Sequence, residues 1–251
     1  MQHLVSITAA LALLVTVMLP SAAARSHQDV RTDQQSRLTA RPQLGANNVA
    51  PQWGLRPLEV DGERAGVPPT YLPGRPAPLL IMLHGAGSQG ENALESLLHL
   101  ADDAGLIVVA PDSRGRTWDL ILDDYGPDVA FIDRVLAWTF ARYAVDPARV
   151  ALGGFSDGAS YALSLGLTNG DLFDALIAFS PGFMKPGCRR NAPRFFISHG
   201  TEDRVLPIEQ TSRRLVPELD RAGYQVRYRE FAGGHSVPAE IAREAIEWFL
   251  R

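Results

Sequence analysis

Four short segments of the chain are continuously apolar: residues 79–83, 107–110, 175–179 and 195–197. A strand that is covered on both faces of a sheet shows such a run, whereas a strand with one wet face alternates apolar and polar positions. Residues 226–229 do alternate, which predicts a strand nearer the edge of the sheet. The pattern therefore predicts several buried strands and one edge strand.

Between these runs, apolar residues recur at the spacing of amphipathic helices, around residues 94–101, 129–143, 208–222 and 241–248. Pro217 should kink or interrupt the third of these helices, and Pro238 suits the first turn of the last. Strands that alternate with helices predict an α/β fold, a doubly wound and mostly parallel sheet with helices on both faces. Ligands of such sheets bind beyond the carboxyl ends of the strands.

The region before the first apolar run has a different character. A mixed segment at residues 58–71, broken by glycines and prolines, predicts one or two short antiparallel strands. Residues 25–50 are polar and predict a disordered or loosely held leader. Residues 4–19 are apolar and precede Ala22-Ala23-Ala24, so residues 1–24 predict a signal peptide cleaved near Ala24 and a secreted or periplasmic protein.

An uncleaved N-terminal anchor is the alternative, although about 16 apolar residues are short for a membrane span. We therefore expect no stable membrane span after cleavage. Residues 51–251 form the predicted catalytic domain, and the oligomeric state stays open.

The net charge of −4, without a run of lysines or arginines, speaks against a nucleic-acid partner. The histidines lack the spacing of metal ligands and there is no P-loop, so neither a metal nor a cofactor is expected. The chemistry must then come from the side chains of the chain itself.

Residues 154–158 read Gly-Phe-Ser-Asp-Gly and match the G-x-S-x-G pattern, which places a serine on a sharp turn between a strand and a helix. The apolar residues 150–152 before it and the helix-forming residues 159–165 after it provide that context. Ser156 is the predicted nucleophile. Ser180 and Ser198 also end strands, but they lack flanking glycines.

A serine hydroxyl needs a base to take its proton and an acid to orient that base. In this topology the chain order is serine, acid, histidine. Asp203 follows the strand at residues 195–197, and His235 follows the alternating strand. With Ser156 they give the order serine, acid, histidine, so Asp203 is the predicted acid and His235 the predicted base. Glu202 and Asp220 are alternative acids, and His199 is a rival base that precedes the acid.

An acyl-transfer site also needs backbone donors for the developing oxyanion. The N–H groups of Ala86, after the first buried strand, and of Asp157, after the nucleophile, are the predicted donors. Gly87 and Trp118 are candidates for the substrate pocket, although Trp118 as a core residue is an equal alternative.

The same loop offers a competing interpretation. Residues 85–90 match the G-x-G-x-x-G dinucleotide fingerprint, with Asp112 as the ribose-binding acid. Asp112 lies further along the chain than the roughly 20 residues typical of that motif. The fingerprint also leaves Ser156 and His235 without a role.

These motifs resemble those of the α/β-hydrolase superfamily, and within it the phospholipase/carboxylesterase family of serine esterases. The resemblance covers about residues 75–251 and rests on the segments 83–87, 154–158, 198–203, 205–207 and 234–235. It implies Ser156, Asp203 and His235 as nucleophile, acid and base. One departure is Asp157, where relatives often carry Gln or Asn, and we expect its carboxylate to point away from the oxyanion.

The expected function is hydrolysis of short-chain or soluble carboxylic esters through an acyl-enzyme, with a small-molecule ester as the substrate. The alternatives are a thioesterase, acyltransferase or peptidase with the same triad, or a hydrolase-fold protein that binds a ligand without chemistry. No long apolar lid segment is present, which argues against a specialised triglyceride lipase.

Overall fold

The computed structural model describes residues 32–43, 54–57, 64–67, 71–95 and 97–251. Eight strands form one sheet in the order β1-β2-β4-β3-β5-β6-β7-β8. The strands are β1 (Gly54–Pro57), β2 (Arg64–Val67), β3 (Ala77–Leu83), β4 (Ile107–Ala110), β5 (Val145–Phe155), β6 (Ala175–Phe179), β7 (Arg194–Gly200) and β8 (Val226–Phe231).

Strands β3 to β8 are parallel, whereas β1 and β2 pair antiparallel with each other and β2 pairs antiparallel with β4. The predicted mostly parallel, doubly wound sheet is thereby confirmed. The two short antiparallel strands also form: β2 lies within the segment predicted to hold them, and β1 lies directly before it.

The helices are α1 (Gly90–Glu95), α2 (Leu98–Ala104), α3 (Asp119–Leu122), α4 (Pro127–Arg142), α5 (Asp157–Thr168), α6 (Ser212–Arg221) and α7 (Ala239–Leu250). A 3-10 turn at Ile208–Gln210 precedes α6. The helical pattern around residues 94–101 is divided between α1 and α2. Helix α6 runs through Pro217 without ending there, so the predicted interruption is wrong.

Both faces of the sheet are buried, which explains the unbroken apolar runs. Side chains alternate between the faces of a strand. In β3, Leu79, Ile81 and Leu83 face a core with α4, α5 and α6, whereas Leu80 and Met82 face a second core with α1, α2 and α7. Within the described part of the chain, no helix combines the length and apolar character that crossing a bilayer requires.

Residues 32–43 differ from the prediction of a disordered leader. Leu38 is only 1% exposed and belongs to the core. Its backbone N–H donates to Asn169, and Arg37 forms two hydrogen bonds with Asp171. For these residues the prediction is wrong, because one buried leucine and several ion pairs fix a segment whose average composition is polar. The rest of the predicted leader and the predicted signal peptide lie outside the described residues.

Candidate active site

Ser156 lies on the turn between β5 and α5 and has a backbone φ of 57°. This is the left-handed region, which a non-glycine residue adopts at a cost in conformational energy. The turn is held because the Ser156 N–H donates to the Phe179 carbonyl, and the Ser156 carbonyl accepts the N–H of Ser160. The strained turn thus projects the Ser156 hydroxyl from the carboxyl edge of the sheet.

The two glycines of the motif allow the backbone to pack closely around this turn. A Cβ atom on Gly154 would collide with the backbone of Gly158, and one on Gly158 would collide with the carbonyl groups of Leu83 and His84. Any larger residue would push α5 away from β3 and β5. The spacing of the motif therefore follows from backbone contact.

The structure brings Ser156, His235 and Asp203 into one hydrogen-bonded line. The Ser156 hydroxyl lies 2.9 Å from Nε2 of His235, and Nδ1 of His235 lies 2.6 Å from Oδ2 of Asp203. Because a carboxylate only accepts, Nδ1 is the donor and Nε2 is left to accept the serine proton. The imidazole thus has the tautomer that a general base for Ser156 requires.

Asp203 is almost fully enclosed and remains a carboxylate. Burial alone would raise its pKa, but hydrogen bonds from the Leu206 N–H, the His235 ring and the Val205 N–H outweigh burial and lower the pKa below its usual value. The N–H groups of Val205 and Leu206 both donate to Oδ1, at 2.9 and 2.8 Å. Oδ2 is therefore left for the histidine.

His199 lies on the other side of this carboxylate and is fully buried. Its Nε2 lies 2.7 Å from the Leu206 carbonyl and 3.2 Å from Oδ2 of Asp203, so Nε2 carries the proton. Nδ1 then accepts the Ser212 hydroxyl at 2.7 Å. Burial lowers the pKa of His199. With both nitrogens engaged away from Ser156, His199 is not placed to act as its base.

Close backbone contact joins the loop of the acid to the loop of the base. Gly200 approaches the carbonyl groups of Gly233 and Gly234 so closely that no side chain fits, and the Glu202 N–H donates to the Gly233 carbonyl at 2.9 Å. The contact sets His235 beside Asp203. Of the alternative acids, Glu202 and Asp220 are exposed and form no hydrogen bond to His235.

The loop after β3 carries the predicted oxyanion donor Ala86. Within the part of the chain that the structure describes, the N–H groups of Ala86 and Asp157 have no protein acceptor. Both are free to donate to a ligand, as oxyanion donors must be. The Asp157 carboxylate accepts the Thr117 hydroxyl at 2.7 Å, so it has its own partner.

Three residues hold the oxyanion loop in place: Trp118, His84 and Ser113. The sequence does not predict that they act together. The indole N–H of Trp118 donates to the His84 carbonyl at 2.9 Å, and the two rings pack at 4.9 Å. Nδ1 of His84 donates to the Gly85 carbonyl, and its Nε2 accepts the Ser113 N–H at 3.0 Å. No sequence signal marks these contacts, because they join loops far apart in the chain.

The two pocket candidates have other positions. Trp118 is fully buried in the core, so the alternative of a core residue is the right one. Gly87 is exposed, with a φ of 66°, and its N–H donates to the Arg116 carbonyl. Asp112, the acid of the dinucleotide interpretation, instead accepts the Gly90 N–H at the start of α1.

Among the residues that the structure describes, no group of three or more His, Cys, Asp or Glu side chains could hold a metal ion. Residues 130–250, which contain the Ser156, Asp203 and His235 positions, match the model of the Phospholipase/Carboxylesterase family. The fold is that of the α/β-hydrolases, and the family match covers just under half of the chain. The resemblance to the phospholipase/carboxylesterase family that the motifs indicated is confirmed.

The curated relatives include esterases and a thioesterase. The chain is 32% identical to a bifunctional acetylxylan esterase/xylanase of Neocallimastix patriciarum over 58% of this chain and 22% of that protein. It is 32% identical to acyl-protein thioesterase 1 of Gibberella zeae over 42% and 48% of the two chains. It is 28% identical to feruloyl esterase C of Emericella nidulans over 67% and 66%. The chain thus spans from about a fifth to about two thirds of these relatives.

Solved structures share the fold over most of the chain. Esterase PE8 has 25% sequence identity and a TM-score of 0.62, and the match covers 78% of this chain and 97% of PE8. A ferulic acid esterase from Anaeromyces mucronatus, solved with ferulic acid, has 19% identity and a TM-score of 0.60, with 85% and 97% covered. At that identity the second likeness concerns the fold alone.

Proposed function

We propose that this protein is a serine hydrolase that cleaves carboxylic esters through an acyl-enzyme intermediate. The observation that carries the proposal is the continuous line from the Ser156 hydroxyl through His235 to the Asp203 carboxylate. The relatives named as esterases support the same class of reaction. Short or soluble acyl groups are the proposed substrates, and export is proposed from the apolar N-terminal residues.

In the proposed mechanism, Ser156 Oγ attacks the ester carbonyl while its proton passes to Nε2 of His235. The N–H groups of Ala86 and Asp157 donate to the oxygen that gains negative charge, and Asp203 stabilises the imidazolium. His235 then protonates the departing alcohol as the C–O bond breaks. Water, deprotonated by His235, attacks the acyl-enzyme, and the acid leaves as the proton returns to Ser156.

Replacing the nucleophile tests this mechanism. We expect Ser156→Ala to lower turnover of 4-nitrophenyl acetate by at least about 10⁴-fold, because the covalent step is lost. A fluorophosphonate probe should label the wild type and not the variant. Ser113→Ala serves as the matched control, because it removes a hydroxyl bonded, among the described residues, only to the Gly115 carbonyl and keeps the backbone N–H that His84 accepts. Undiminished turnover by a folded Ser156→Ala protein would refute the proposal, and an unlabelled wild type would favour a binding protein without chemistry.

A thioester substrate is the second candidate, because the acyl-protein thioesterases of Gibberella zeae and Emericella nidulans match the chain. The same triad attacks either carbonyl, so the geometry is compatible with both. Measuring kcat/KM for an acetyl oxyester and for an acetyl thioester, both with the same enzyme preparation, decides between an oxyester and a thioester substrate. The oxyester assignment requires the higher value for the oxyester.

A further inference from the structure

A mainly apolar pocket of about 200 Å³ lies next to the candidate active site, on the face of the sheet that carries α1 and α7. The aromatic side chains of Phe155 and Phe179 and the side chain of Met82 form part of its wall. Phe155 is also in contact with the His235 ring, at 4.7 Å between ring centres. The pocket therefore adjoins the proposed base, and the mechanism proposed above leaves it without a role.

Gly85 is the residue of the pocket wall that adjoins the nucleophile. Gly85 lines the pocket, and a Cβ atom added to Gly85 would lie 3.4 Å from Ser156 Cβ. Gly85 directly precedes Ala86, the proposed oxyanion donor. A carbonyl group bound between Ser156 and Ala86 therefore has the pocket next to it.

The position of the pocket favours the acyl side of the ester over the alcohol side. Most of its lining comes from β3, the loop after it and helix α1, including Met82, Gly85 and Ala93. The loop that carries His235 contributes Val237 alone. The departing alcohol must lie near Nε2 of His235, which protonates it, whereas the acyl carbon chain is bonded to the carbonyl beside Gly85.

The size and walls of the pocket indicate what fits there. A dry apolar cavity of roughly 150 Å³ holds one benzene molecule. The larger volume here admits a ring with a tail of two or three carbons. Two aromatic walls favour an aromatic ring, because ring pairs gain energy beyond the burial of area, and a rigid ring loses little conformational entropy.

We propose that this pocket binds the acyl group of the substrate and selects a single aromatic ring held a few atoms from the carbonyl, as in a 3-phenylpropanoyl ester. The inference rests on the proposed function, because it assigns a substrate class to the same site. Ala93 limits the pocket on α1, and a larger side chain there would occupy the space of the ring.

Three 4-nitrophenyl esters that share one leaving group test the proposal: the acetate, the hexanoate and the 3-phenylpropanoate. We expect the wild type to have its highest kcat/KM for the 3-phenylpropanoate. In Ala93→Leu this value should fall at least tenfold, while the value for the acetate stays within threefold. Ala93→Val, a smaller intrusion, should give an intermediate loss, and it keeps the test open if the leucine variant does not fold. Ala130→Leu, the same change at an exposed site on α4, is the matched control.

Other outcomes overturn the inference in distinguishable ways. A wild type that hydrolyses the acetate but prefers the hexanoate, or an unchanged preference in folded Ala93→Leu and Ala93→Val proteins, refutes the aromatic acyl pocket and leaves the esterase intact. The Ala93 variants could instead change the preference between benzyl acetate and ethyl acetate and leave the acyl preference unchanged. That result places the pocket on the alcohol side and also refutes the aromatic acyl pocket. Failure of the wild type to hydrolyse any ester refutes the proposed function itself.

Discussion

Asp203 shows how completely a single carboxylate is held in this site. Two backbone N–H groups donate to Oδ1, and the rings of His235 and His199 both approach Oδ2. A carboxylate has about four acceptor positions, and all of them are occupied here. Because the carboxylate cannot rotate without losing several bonds, the direction in which it presents Oδ2 to His235 is fixed.

His199 is accordingly a positioning residue, which acts on the proposed reaction through Asp203. A hydrogen bond to a charged group contributes about 1.5–3 kcal/mol, and the 3.2 Å separation places this one at the lower end. We expect His199→Phe to lower kcat about tenfold with KM within twofold, since the substrate does not touch this ring. Steady-state kinetics with 4-nitrophenyl acetate measures both constants.

A conservative replacement separates positioning from general loss of structure. His199→Gln keeps an N–H donor near Asp203, so its kcat should lie between those of His199→Phe and the wild type. Ser212→Ala leaves the donor to Asp203 in place, so it should lower kcat less than His199→Phe does. If folded His199→Phe protein retains the full kcat, the ring has no influence on the reaction.

At the scale of elements, helix α5 fixes the loop that follows β6. Three hydroxyl groups spaced four residues apart, Ser160, Ser164 and Thr168, lie on one face of an otherwise apolar helix. Each donates to the carbonyl four residues earlier and accepts a backbone N–H from the loop. The donors are Gly182, Lys185 and Gly187, at 2.9, 2.8 and 2.9 Å. The loop beside the nucleophile is thus fastened along the helix that the nucleophile begins.

Removing the middle hydroxyl should weaken this attachment. Ser164 is fully buried, so Ser164→Ala leaves the Lys185 N–H without its acceptor. The Lys185 N–H is only partly buried, so we expect the free energy of unfolding to fall by about 0.5–1.5 kcal/mol, the net contribution of one hydrogen bond. Urea denaturation measures it. Ser113→Ala, whose hydroxyl bond to Gly115 is exposed, should change stability by less than about 0.5 kcal/mol. Equal effects of the two variants would contradict the argument.

At the scale of the whole molecule, the sheet gathers residues that are far apart in the chain. Ala86, Ser156, Asp203 and His235 each follow the carboxyl end of a parallel strand, so the fold alone places them at one edge. The apolar runs and local glycine motifs made that part of the architecture predictable. The supports of the site were not predictable, because the contacts of His84 with Trp118 and of His199 with Ser212 depend on how separate loops meet.

The N-terminal segment shows that average composition does not always predict whether a segment is ordered. A window average over residues 25–50 is polar, yet Leu38 lies in the core and Asn169 bonds the backbone on both sides of Arg37. A single buried leucine and matched charges carry the attachment of residues 32–43. Neither feature changes a window average, so the composition gave no sign of the attachment.

The charged contacts of this segment make its attachment depend on pH. Hydrogen bonds from Arg37, followed by those from Arg41, lower the pKa of Asp171 below its usual 3.8 despite partial burial. The pKa of Asp33 is lowered in the same way by Arg190. A carboxyl group with a lowered folded-state pKa stabilises the fold above the unfolded pKa, and this contribution is lost as the pH falls through the folded-state pKa.

We therefore expect Asp171→Asn to be less stable than the wild type at pH 7 and the difference to shrink as the pH falls below 3.8. Urea denaturation of both proteins between pH 7 and pH 2.5 measures the difference between their free energies of unfolding. Taking this difference removes the contribution of the titrating groups that the two proteins share. Asp220→Asn, at an exposed carboxylate on α6, should show no such trend. A difference that is constant with pH would mean that the charge of Asp171 does not hold the segment.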